Sequence, residues 1–138
     1  MGRIMSIDYG RKRVGIAVTD SLKIIATALD TVHSDKVLEY IETYIQKESV
    51  ELFVVGLPKN LDNTDAEAMV DVKPFAKKLE AKFNIPIVWV DERFTSKLAM
   101  RAMIDSGVKK SQRRIKENID KISAVIILQS YLESISLK

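Results

Sequence analysis

The chain of 138 residues carries 22 lysines and arginines against 19 aspartates and glutamates, a net charge of +3, and no cysteine. Lack of cysteine excludes disulfides, thiol nucleophiles and cysteine-based zinc sites, and the length suits one domain, 1–138, that buries a core without such staples. No apolar run reaches the roughly 18 residues of a membrane span, and Met1 leads into a strand without a signal-peptide pattern, so a soluble, cytoplasmic protein with no membrane partner is expected.

The stretch RIMSIDYGRKRVGIAVTD, residues 3–20, predicts two strands over 4–9 and 14–19, joined by the turn GRKR with Gly10 and Arg11 at its bend. KIIATAL at 23–29 is expected to complete an antiparallel meander. The single histidine, His33, lies in the polar link DTVHSD and is expected at the surface. Ser34 or Asp35 is then a candidate cap for a helix with Val37, Leu38, Ile41, Tyr44 and Ile45 on its apolar face.

ELFVVG at 51–56 is a continuous apolar run, as in a parallel strand covered on both faces; Gly56 is expected to end it, before the polar loop LPKNLDNT. TDAE at 64–67 reads as a capping box for a helix burying Met69, Val72, Ala76, Leu79 and Phe83. Pro74 inside that pattern removes a backbone donor and predicts a kink or a broken first segment. IPIVWV at 85–90 is a further strand. Thr95 or Ser96 caps a helix running to about Ser106, stopped by Gly107, and after a basic loop a last helix covers 117–136. The order β-β-β-α-β-α-β-α-α implies an α/β fold, a mixed sheet with helices on both faces.

Ligand sites in open α/β sheets gather beyond the ends of central strands. Asp8 falls near the end of the first strand, Asp91 and Glu92 follow IVWV, and Asp120 sits within NIDKISAVIILQSYL, an otherwise apolar stretch. Each acid has an ordinary explanation: a turn cap for Asp8, a pair with Arg93 for Glu92, a favourable helix dipole for Asp120. Together they offer hard oxygen ligands from three elements, an arrangement that suits Mg²⁺. KKSQRRIK at 109–116 holds Lys109, Lys110, Arg113, Arg114 and Lys116 with no acid among them. Beside a carboxylate metal site, such a run supplies phosphate contacts and points to phosphodiester cleavage.

In order along nearly the whole chain, DYGRKRVGIAVTD, VVGLPKNLDNT, VDERFTS and IDKISAVIILQSYL resemble the YqgF (RuvX-like) family, RNase H-like bacterial proteins described as Holliday junction resolvases and as nucleases maturing the 5′ end of pre-16S rRNA. The resemblance implies an RNase H-like five-stranded mixed sheet, with a three-stranded antiparallel meander plus parallel strands. It implies an acidic triad of Asp8, Glu92 and Asp120 holding Mg²⁺ or Mn²⁺, with Asp91 an alternative to Glu92 that strand parity in the sequence leaves open. Arg11, Lys12, Arg13, Lys59, Asn60, Arg93 and Thr95 would line the substrate groove. Asn63 and Ser123 depart from the family's usual Gly and Ala, as does Pro74 in its helix. Structured RNA or branched DNA is the implied partner, for a monomer or a homodimer, with rRNA processing favoured. The rival readings are an ATP-binding domain of the actin and Hsp70 type, for which one domain is too few, and a non-catalytic nucleic-acid-binding module.

Overall fold

The computed structural model describes residues 2–10, 12–57, 69–91 and 112–136. Strands β1 (Arg3–Tyr9), β2 (Arg13–Thr19) and β3 (Ala26–His33) are followed by helix α1 (Val37–Lys47) and strand β4 (Val50–Leu57). Helix α2 (Met69–Phe83), strand β5 (Ile87–Asp91) and helix α3 (Gln112–Ser136) complete the described elements. The sheet has five strands in the order β3-β2-β1-β4-β5. β2 pairs antiparallel with β1 and β3, whereas β4 is parallel to both β1 and β5. The expected meander plus parallel strands is therefore present.

Two cores cover the sheet, and strand alternation sorts residues between them. Met5 and Ile7 of β1, Val14 and Ile16 of β2, and Phe53 and Val55 of β4 pack with Val37 and Ile41 of α1 and with Val72, Phe75 and Leu79 of α2. The intervening residues Ile4, Ala17 and Val54 pack with Ala124, Ile127 and Leu128 of α3. The continuous apolar run of β4 follows from this double cover.

Several boundaries differ from the sequence expectation. The third strand begins at Ala26, not Lys23. The Asp20 carboxylate accepts the backbone N–H groups of Leu22 at 3.2 Å and of Ile24 and Ile25 at 2.8 Å each, which commits the backbone at 22–25 to a turn. Lys36, not Ser34 or Asp35, occupies the cap position of α1, and no side chain caps it. Ser34 and Asp35 are used in the turn before it, where the Asp35 N–H donates to His33 Nδ1 at 3.2 Å. His33 is exposed, as expected.

β4 continues through Gly56 to Leu57 because β5 supplies partners, Val90 for Gly56 and Asp91 for Leu57. α2 spans Met69–Phe83 with Pro74 inside it. The carbonyl that Pro74 leaves without its usual donor is that of Val70, one turn earlier. α3 starts at Gln112, so Arg113, Arg114 and Lys116 belong to its first turns and not to a loop; none of the residues there is a helix breaker. The capping box at 64–67 and the expected helix at 95–106 lie outside the described residues.

Gly10 follows β1 directly, and a Cβ there would stand 2.6 Å from the Arg13 carbonyl oxygen. Gly10→Ala should therefore force the turn apart and destabilise the protein by about 1–3 kcal/mol, read from the urea midpoint. The Asp20 carboxyl is held below the usual carboxylate range by the N–H groups of Ile25 and Ile24. A depressed carboxyl contributes stability above its unfolded pKa of about 3.9, which is lost as pH falls through the lower folded value. Asp20→Asn should thus be less stable near neutrality and should lose less stability than wild type on acidification below about pH 4, measured by thermal melts across pH.

Candidate nucleic-acid cleavage site

Asp8 is the penultimate residue of β1, the central strand, and is partly buried. Its parity is that of Ile4 and Ser6, which places it on the α3 face of the sheet. Its directly paired residue on β2 is Gly15. On the other side the register runs Ser6 with Val54 and Ile7 with Val55, so the next step sets Gly56 beside Asp8. Both lateral neighbours on this face are glycines. Glycine within a strand leaves the sheet bare where a ligand or another backbone approaches.

Ser6 fixes what stands over that floor. Its buried hydroxyl donates to the Ala124 carbonyl of α3 at 2.6 Å. Ile4, two residues earlier on β1, shares its core with Ile127 and Leu128, one turn later on α3. Strand and helix therefore run in opposite senses. From Ser6 to Asp8 the strand advances ~6.6 Å, and one helical turn back from Ala124 covers ~6 Å to position 120. The backbone of Asp120 thus lies level with Asp8.

On the opposite face Tyr9 stacks on Phe75 of α2, with ring centroids 4.4 Å apart and planes at 25°. Phe75 is buried, and the sequence reading did not include it in the helix's apolar face. The end of β1 is consequently held from both sides.

The turn after β1 carries the expected cations. Lys12 is exposed and Arg13 half-buried, and the Lys12 carbonyl accepts the Ser34 N–H at 3.0 Å, tying the turn to the end of β3. Asp91 ends β5 in register with Leu57. Along β5, Ile87 packs into the core under α1 and α2, and Val90 into that under α3. Odd positions therefore belong to the first face and even positions to the face of Asp8. Arg113, Arg114 and Asp120 lie on α3, with Asp8 the only member of the expected acidic triad whose side chain is described. Arg11, Lys59, Asn60, Glu92, Arg93, Thr95, Lys109 and Lys110 lie outside the described residues. Among the described residues no three His, Cys, Asp or Glu side chains form a metal-binding group.

Such a sheet, with a helix laid against the face that carries an acid at the end of its central strand, is the architecture of RNase H-like resolvases. The structure is similar to that of the fowlpox virus resolvase solved with Holliday junction DNA, with a TM-score of 0.60 at 14% identity over 96% of this chain and 98% of that one. It is also similar to Thermus thermophilus RuvC in complex with a Holliday junction substrate, with a TM-score of 0.57 at 12% identity over 98% and 96% of the two chains.

The family model described as "RuvX: Holliday junction resolvase" matches residues 2–134, and the chain belongs to this family. Among its relatives, a Porphyromonas gingivalis protein named "Putative pre-16S rRNA nuclease" is 51% identical over 135 residues, 97% of this chain and 98% of that protein. A Phocaeicola vulgatus protein of the same name is 53% identical over 135 residues, 97% of each chain.

Ser6, Gly15 and Gly56 were not among the sequence candidates. Strand parity from Asp8 carried the signal, but finding it required the register of both neighbours. Ser6→Ala should cost about 1–2 kcal/mol, because the hydroxyl leaves a buried contact whose acceptor keeps its place in the helix ladder. The expected readout is a lower urea midpoint with an unchanged slope.

Proposed function

We propose that the chain is one domain of a metal-dependent nuclease that cleaves phosphodiester bonds in structured RNA, in maturation of the 5′ end of pre-16S rRNA. The observation that carries this reading is the place of Asp8: on the α3 face, over a bare floor between Gly15 and Gly56, level with the helical turn of Asp120. The names of the relatives favour the rRNA substrate. A hydrolase acting on nucleic acid is the coarser statement that the family and the fold support together.

The donor chemistry fits Mg²⁺ or Mn²⁺. Asp8 offers hard carboxylate oxygens beside a glycine-lined space, and Asp120 and Glu92 would complete the set. When bound, such a cation supplies a water of lowered pKa and neutralises charge developing on the phosphate. Glu92 is favoured over Asp91 because continued alternation of β5 assigns even positions to the face of Asp8. The Tyr9–Phe75 stack and the Ser6–Ala124 bond restrain the strand on either side of Asp8, so its backbone is positioned before anything binds. Arg11, Lys12, Arg13, Lys59, Asn60, Arg93 and Thr95 would track the phosphate backbone, as would Lys109, Lys110, Arg113 and Arg114.

The family description favours a second reading, resolution of Holliday junction DNA. Symmetric cuts would then require a two-fold dimer. An assay with Mg²⁺ or Mn²⁺ on precursor rRNA and on four-way DNA junctions, run beside a sizing measurement, separates the two.

Asp8→Asn should reduce single-turnover cleavage by at least about a hundredfold, equivalent to about 2.7 kcal/mol of transition-state stabilisation, with nucleic-acid affinity largely kept. Mg²⁺ should raise the melting temperature of wild type more than that of the variant, by mass action on the folded state. Cleavage within tenfold of wild type, or equal metal shifts in both proteins, would remove Asp8 from the site.

A further inference from the structure

We propose that the groove along α1 binds a single-stranded extension of the nucleic acid whose scissile region lies over Asp8, an assignment that rests on the nuclease reading above. The groove has a volume of about 400 Å³ and is lined by Lys36, Glu39, Tyr40, Thr43, Tyr44 and Lys47. Lys36, Tyr40, Tyr44 and Lys47 recur at three- and four-residue spacing and so share one stripe of the helix. Val37 and Ile41 form the buried face instead. From Lys36 to Lys47 the stripe extends ~16 Å, enough for about four or five phosphates of a stacked strand at ~3.4 Å each.

Charge and aromatic surface both suit that ligand. Lys36 and Lys47 are exposed and make no ion pair among the described residues. Other cations nearby are engaged: Arg3 with Glu48, Lys23 with Glu51, and Lys82 with Glu42. The acid lining the groove is Glu39, which opposes a polyanion at one edge. Tyr40 and Tyr44 are half-buried against the core and turn their remaining surface to the groove. Packing against the core restrains both rings, and the Asp30 carboxylate of β3 lies near the Tyr40 hydroxyl. Prepositioned rings between lysines make a stacking platform that tolerates any base sequence.

The groove is continuous with the cleavage end of the sheet. The Ser34 N–H donates to the Lys12 carbonyl at 3.0 Å and the Lys36 N–H to the His33 carbonyl at 2.9 Å. A strand crossing the basic turn at Lys12 therefore meets Lys36 next, then the two tyrosines and Lys47. Duplex RNA cannot present its bases to this surface, because they are stacked on one another. An unpaired extension can.

The test measures binding of a short RNA duplex, blunt or carrying a single-stranded uridine extension, by fluorescence anisotropy over a range of salt. The extension should tighten binding at least about fivefold, the effect of stacking one base. Tyr44→Leu should remove most of that gain. Lys36→Gln combined with Lys47→Gln, both on exposed residues, should reduce the gain and make the salt slope for the extended substrate shallower by about 1.4 units. Glu39→Gln should increase the gain, and all variants should bind and cleave the blunt duplex like wild type. Equal affinity for both substrates overturns the proposal, as does a gain and slope that survive the double lysine variant. Cleavage without an extension effect would overturn the groove alone. An extension effect without cleavage would support the groove and overturn the nuclease reading.

Discussion

The hydrogen bond from Ser6 to the Ala124 carbonyl, at 2.6 Å, sets the distance between the sheet and its longest described helix. Helix backbone and strand can approach this closely only where side chains are small. Ala17 lies beside Ser6 in the β1–β2 register, and Ser123 and Ala124 are buried with them. A larger residue at any of these positions would lift α3 from the sheet, since close-packed interiors tolerate little added volume. The larger Ile127 and Leu128 fill the wider space one turn away. The interface is thus narrow towards Asp8 and wide towards the opposite end. Because α3 also carries Asp120 one turn before Ala124, the same contact sets the height of that turn's backbone over the sheet.

The other face obeys a different constraint. Phe75 reaches Tyr9 directly after Pro74, and the stack pins α2 to the last residue of β1. A carboxylate between two such anchors loses less conformational freedom when it binds something, because folding has already restrained its backbone. The cost is a polar group at the edge of a core, lessened here because Asp8 is only partly buried. The backbone around Asp8 is thus restrained from both faces of the sheet.

The opening meander and the double cover of the sheet were legible in the sequence, because period-two alternation in β1 and β2 and the unbroken apolar run of β4 have few other solutions. The beginning of β3 was not. Leu22, Ile24 and Ile25 look like strand residues, yet all three are exposed, because Asp20 draws their amides into a turn. The length of α3 was likewise understated: a run of lysine and arginine reads as a loop by charge, although each is a good helix former. At the site, Asp8 was legible as a costly acid in an apolar strand. Its glycine neighbours come from residues 7 and 48 positions away in sequence, and only pairing brings them together.

The same meander that places Asp8 also shapes the tyrosine groove. β3 is an edge strand, so beyond it the sheet offers no further neighbour to cover α1. The helix must bury Val37 and Ile41 against the sheet, and its adjoining stripe then overhangs the free edge. An exposed edge is usually protected by charge or by a covering element. Here Tyr40 provides part of that cover, packed against the core beside Asp30 of β3. Protection of the edge and presentation of an aromatic surface are thus one arrangement seen from two sides. The turn that links β3 to Lys12 brings this surface to the end of the sheet where the acid lies. A ligand reaching from one to the other would have to cross that turn, since Asp8 lies on the α3 face and the tyrosines on the face of α1.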